Sequence, residues 1–249
     1  MQEPGCFRCN QKLLSVFVLL ATLALIGSLD NSFYAAALLL PLWYMIYRPV
    51  SRLETVSFIL ASLFFVLQDY SMGRSGGSSF KHRDILLMPW YELFLWGFYY
   101  LNMKRFTGDN GNSVVLDRRG IFGLLLTAAL FPLFSWSPRL LLLATVGSTA
   151  ILFTLFHDPM DLYCAAYFLG LGFVVEFFGV SHGLWRYPHQ PEFLGIPYWC
   201  ATMWISAGIL GRRVLFPLAD LLDDYMKHAK HVREAYGHEP THGYKPGGI

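Results

Sequence analysis

The chain has 249 residues, 55% apolar and 17% aromatic, with 14% charged and a formal net charge of +2. A soluble domain carries about 25% charged residues, so this composition excludes an ordinary water-soluble domain. With no basic stripe and no Gly-rich phosphate loop, it offers nothing to nucleic acid.

The charges gather between long apolar runs, the pattern of a polytopic membrane protein. Residues 1–12 form an N-terminal segment carrying Cys6 and Cys9, a lone C-x-x-C that is a weak metal or redox signal. The first apolar run, Leu13 to Leu29, has no small-residue cleavage site after it and reads as a retained helix. The second runs from Ser32 to Tyr47 and stops at Arg48-Pro49. The third covers Thr55 to Met72, followed by a Gly/Ser loop from Gly73 to Arg83. The fourth runs from Asp84 to Met103 with Pro89 in its first turns. A polar connector at 106–120 separates the halves. The fifth to eighth spans are Ile121 to Trp136, Leu140 to Phe156, Met160 to Val180 and Ile196 to Leu215, and residues 216–249 read as a polar tail. Several spans lie near the short end of the roughly 17–25 residues that cross a bilayer.

A shift of 108 positions, without a gap, lays Pro197 on Pro89, Trp204 on Trp96, Phe173 on Phe65 and Arg212-Arg213 on Lys104-Arg105. It also lays Glu176 on Gln68. The reading is an old duplication. The expected fold is all-α, a polytopic membrane helical bundle of about eight transmembrane helices. It would form two parallel four-helix repeats, 13–105 and 121–215, since an even number of spans makes both copies enter from the same side. Lys and Arg are more numerous in the loops on the side of the termini, which predicts both termini in the cytoplasm, in a plasma, inner or equivalent membrane.

Glu176 is the leading candidate for chemistry. It lies late in the seventh span beside Phe173, Phe177 and Phe178. An ionisable group at that depth is costly and must face protein or water, which makes it a functional hypothesis by default. An acid in an aromatic, water-poor pocket suits protonation of an alkene or epoxide, or the holding of a hydroxyl. The structural alternative is a hydrogen bond to a neighbouring helix or to Arg186. Glu92, three residues past Pro89, is the second acid, so one acid comes from each half. Gln68 is expected to face the site as the counterpart of Glu176. Asp69, about 100° away on the helix, is expected to point elsewhere, toward a cation such as Arg74. Trp96, Trp204, Trp185 and Tyr187 are expected to line a cavity, although an interfacial aromatic belt accounts for such residues too. Cys164 and Cys200 lie in apolar runs and read as buried small residues. The histidines form neither HExxH nor H-x-x-H-H, so no metal and no cofactor are expected.

The run Glu176, Gly179, Gly183, Trp185 and Tyr187, followed by Gly195 to Trp199 (GIPYW), resembles integral-membrane carotenoid hydratases and lycopene cyclases, and more loosely transmembrane terpene cyclases. The resemblance covers about forty residues. It implies an enzyme that cyclises, hydrates or isomerises a lipid-soluble isoprenoid, with Glu176 as proton donor and Glu92 with Gln68 orienting substrate or water. The paired acidic motifs of lycopene cyclases are absent, since Tyr198-Trp199-Cys200 follows Pro197. The alternative is a non-catalytic membrane subunit binding a pigment, a lipid or a partner complex. A small-molecule transporter is the third reading.

Overall fold

The computed structural model describes residues 4–108, 114–188 and 192–236, with side chains from residue 10 in the first helix and up to residue 229 in the last. Helix α1 (Pro4–Ser28) is followed by α2 (Ser32–Tyr47) and α3 (Arg52–Arg74). Asn31 caps α2 by accepting from the backbone N–H groups of Phe33 and Tyr34 at 3.0 and 3.2 Å. Ser51 and Glu54 form a reciprocal capping box at the start of α3. After strand β1 (Ser79–Phe80) come α4 (Glu92–Thr107), α5 (Arg118–Phe134) and α6 (Pro138–Leu155). Then follow α7 (Pro159–Ser181), capped by Asp158 with proline in its first turn, β2 (Trp185–Arg186) and α8 (Trp199–Leu210). A π-helical turn, Gly211–Leu215, joins α8 to α9 (Phe216–Tyr236).

The architecture is a membrane helical bundle. Helix α1 from Asn10, with α3, α6 and α7, has the length and mean hydropathy, 1.4 to 1.8, to cross a bilayer. Between 28% and 44% of each of these windows is buried inside the protein, so most of their apolar side chains are left to lipid. Helices α2, α4, α5 and α8 are shorter. Helix α4 is buried continuously from Leu95 to Lys104 and forms the interior together with α8. It packs on α3 as α8 packs on α7. Gly97 permits the first contact and Gly208 the second. A Cβ on Gly97 would lie 2.6 Å from the Phe58 carbonyl oxygen, and one on Gly208 2.5 Å from that of Cys164.

Both hairpins are closed at the same end by buried ions. Arg105 Nη2 donates to Glu54 Oε2 at 2.9 Å, joining the end of α4 to the start of α3. At the end of α8, Arg212 Nη1 and Arg213 Nε donate to Asp161 Oδ1 at 2.5 and 2.8 Å, and Asp161 sits fully buried at the start of α7. Such pairs contribute little net stability, but they penalise any register that separates them.

At the other end the loops after α3 and α7 meet. Ser79 pairs with Arg186 and Phe80 with Trp185 in a two-residue antiparallel ribbon. Two tight turns precede the interior helices. Ile85 and Met88 exchange backbone hydrogen bonds around Leu86 and Leu87, both at positive φ (50° and 63°). Phe193 and Ile196 do the same around Leu194 and Gly195 (51° and 82°).

Three expectations change. The fourth helix begins at Glu92 rather than Asp84, and the eighth at Trp199 rather than Ile196, because these turns occupy the intervening residues. Residues from 216 are not an open tail. They form α9, which buries Phe216, Ala219 and Asp223, and Asp223 Oδ1 meets Arg52 Nε of α3 at 3.0 Å. Its many charged residues made the segment read as a polar tail. Cys164 and Cys200 are buried and form no disulfide, whereas the side chains of Cys6 and Cys9 lie outside the described residues.

Gly97→Ala should lower stability by about 1–3 kcal/mol through overpacking against α3. Thermal unfolding in detergent checks this, and an unchanged midpoint would show that α3 and α4 are not in close backbone contact.

Candidate functional site

The site grows from the ends of α3, α4, α7 and α8 nearest the β ribbon. Glu176, 5% exposed, is held by three donors. Its Oε2 accepts from Trp185 Nε1 at 2.9 Å and Tyr187 Oη at 2.7 Å, and its Oε1 accepts from Trp204 Nε1 at 3.1 Å. Gly179 leaves the space that the Trp185 ring fills against α7, and Gly183, at φ 65°, turns the chain back so that β2 can reach the carboxylate. The E-x-x-G-x-x-x-G-x-W-x-Y run is therefore a self-contained hydrogen-bonded unit. It fastens α7 to β2, and Trp204 extends it to α8.

On the other side, Asp69 of α3 accepts from Trp96 Nε1 at 2.7 Å. Trp96 and Trp204 stack with centroids 4.8 Å apart and planes 24° from parallel. The result is a row of acid, indole, indole and acid running from α3 through α4 and α8 to α7. An ungapped shift pairs Glu176 with Gln68, but the α3 side chain that accepts an indole N–H is Asp69. Glu54 and Asp161, which stand as far apart in the chain as Asp69 and Glu176, both bind arginine. Gln68 lies in the wall of a separate apolar cavity, and its buried Nε2 has no hydrogen-bond partner.

Asp69, Glu92 and Glu176 line one chamber with Trp96, Trp185, Tyr187 and Trp204, in about 550 Å³ of space including its mouth. Every site residue expected from the sequence is thus gathered there except Gln68. Sequence reasoning missed Tyr99, Trp199 and Phe80 in the same wall. Tyr99 follows Glu92 by seven residues, two helical turns on one face, and that spacing was available as a signal. The apolar cavity lies between α3, α4, α5 and α8, again with about 550 Å³ of space. Phe64, Phe65, Leu124, Ala128, Phe131 and Met203 supply much of its wall. Among the described residues, no group of three His, Cys, Asp or Glu side chains is placed to hold a metal ion. His189, His231, His238 and His242 lie outside the described side chains.

No protein-family model matches the chain, and no curated protein matches it either. Two solved structures resemble it. One is the crystal structure of MvINS, a mycobacterial Insig homologue from Mycobacterium vanbaalenii, at a TM-score of 0.60. The two sequences are 16% identical, and the alignment covers 69% of this chain and 96% of that one. The fold is Insig-like. A cross-linked trimer of MvINS matches with a TM-score of 0.59 and the same identity and coverage.

The Insig-like fold corrects the family resemblance drawn from the sequence. The solved structures that match are of an Insig homologue, not of a carotenoid hydratase, a lycopene cyclase or a terpene cyclase. The isoprenoid-enzyme function falls with that resemblance. The chemistry agrees, because a carboxylate accepting from two indoles and a phenol is held as an acceptor by all three neighbours and is badly placed to deliver a proton. The short motif carried the resemblance because a Glu–Gly–Gly–Trp–Tyr clasp is also a structural device.

Glu176→Gln should destabilise the Insig-like core by about 1–3 kcal/mol, since one amide oxygen cannot replace two carboxylate oxygens for three buried donors. The measurement is thermal unfolding together with tryptophan emission, where a shifted maximum is expected as Trp185 and Trp204 lose their acceptor. Wild-type emission and melting would rule out this clasp.

Proposed function

We infer that the chain is a non-catalytic integral-membrane protein that holds a lipophilic ligand between two four-helix halves, 13–105 and 121–215. The observation that carries this is the apolar cavity between α3, α4, α5 and α8. Its wall is mostly hydrocarbon and aromatic, with Gln68, Asp69 and Thr127 as its polar members, the make-up of a small-molecule pocket. The likeness to an Insig homologue supports a membrane fold of this kind without naming a ligand.

Several features support the two-half arrangement. The turns around Leu86-Leu87 and Leu194-Gly195 have the same hydrogen bonds and the same sign of φ. Arg105 with Glu54 and Arg213 with Asp161 join equivalent ends of the two hairpins. Trp96 and Trp204 each donate to an acid on the adjoining helix. The side rich in Lys and Arg supports cytoplasmic termini. The exposed apolar faces of α1 and α5, with Phe17, Leu20, Leu125 and Leu133, are surfaces for lipid or for a membrane-protein partner.

Purified, extensively delipidated protein analysed by native mass spectrometry should retain a bound lipid. Ala128→Trp, which fills the cavity, should reduce it at least about tenfold, a loss of about 1.4 kcal/mol. Leu125→Trp, on the exposed face of the same helix, should not. Equal lipid content in all three proteins would place the lipid on the outer surface and defeat the cavity reading.

A further inference from the structure

We propose that the acidic chamber beside the Trp96–Trp204 stack binds a primary ammonium group, carried either by a lipid headgroup or by a free amine. This goes beyond the lipophilic-ligand reading and does not need it: Asp69 and Trp96 border both spaces, but of the two only the acidic chamber is bordered by Glu92, Glu176 and Tyr99.

The first observation is an acidic cluster with no basic partner. Asp69, Glu92 and Glu176 face one chamber, and no Lys, Arg or His is among its lining residues. Low-dielectric surroundings make such a cluster costly unless a cation joins it or its members take up protons. The second observation is independent of the first. Two polar side chains in the wall are more than nine-tenths buried. Glu92 is 6% exposed and lines the chamber. Tyr99 is 2% exposed, and its hydroxyl has no hydrogen-bond partner. Glu176 is satisfied by its three donors, and Asp69 has given one oxygen to Trp96. The acceptors left open are Glu92, the second oxygen of Asp69 and the Tyr99 hydroxyl.

A primary ammonium has three N–H donors and one positive charge, which matches that set in number and sign. An alcohol would bring one donor and no charge. A metal ion needs several ligands within about 2.6 Å, and among the described residues no group of three His, Cys, Asp or Glu side chains is placed for that, whereas an ammonium takes longer contacts of about 2.8 Å. The rest of the wall is aromatic, with Trp96, Trp185 and Trp204 present, and indole faces attract an organic cation further. The β ribbon, through Phe80 and Trp185, roofs the chamber.

The test uses the full chain in detergent, following tryptophan fluorescence during titration. The probes are phenethylammonium chloride, the short-chain lipid dihexanoylphosphatidylethanolamine, the neutral isostere 2-phenylethanol, and calcium chloride alone. Saturable quenching by at least one of the two amines is expected, with none from 2-phenylethanol. Binding of the lipid alone assigns the source to a headgroup, and binding of phenethylammonium alone to a free amine. Glu92→Gln should weaken the amine at least about tenfold, as expected for losing a charged hydrogen bond. Tyr99→Phe, which deletes one oxygen and keeps the ring, should weaken it several-fold and decides the matter should Glu92→Gln not fold. The proposal is overturned if neither amine binds, if 2-phenylethanol binds as tightly, if calcium gives the same quench, or if the folded variants bind like the wild type.

Discussion

Everything in this bundle is arranged about two stacked indoles with a carboxylate at each outer edge. Trp96 and Trp204 come from the two most interior helices, and each hands its N–H to an acid on the helix beside it. Stacking alone would let α4 and α8 slide. The hydrogen bonds to Asp69 and Glu176 fix depth and rotation together, because an indole N–H points in one direction only. The cost of burying carboxylates in a membrane protein is thereby converted into register, and the flanking spaces, one apolar and one acidic, exist because rigid rings cannot close them.

Polar groups at the two ends divide the remaining labour. At one end, arginines of α4 and α8 meet acids of α3 and α7. At the other, a two-residue β ribbon and two tight turns hold the loops. Between these ends α4 is buried along ten residues, Leu95 to Lys104, although it is only 16 residues long. Interior position frees it from the length requirement of a lipid-facing span, and that explains why α4 and α8 are short while α3 and α7 are long.

Much of this was legible in the chain. Apolar runs and Lys/Arg clusters locate most helices, and the shift by 108 residues finds Trp96 with Trp204 and the arginine ends. What escaped was local and physical. Leucine at positive φ is uncommon, so nothing in Ile85 to Met88 announced a turn before Glu92. A one-residue slip between α3 and α7 exchanged Asp69 for Gln68. Helix α9 was hidden because a few buried positions among many charges give a weak pattern. The Glu176 run was recognised as special, and its composition could not say whether its acid was free to react or already held by three donors.

The π-helical turn carries a consequence of its own. On a regular α-helix Arg212 and Arg213 would diverge by about 100°, yet both reach Asp161. The extra residue in that turn retards the phase of everything after it. Interior α8 and peripheral α9 thus form one continuous rod cut like a camshaft, its first lobe set against α7 and its last against α3. The helix that bears Trp204 and the helix that meets Arg52 are therefore one piece.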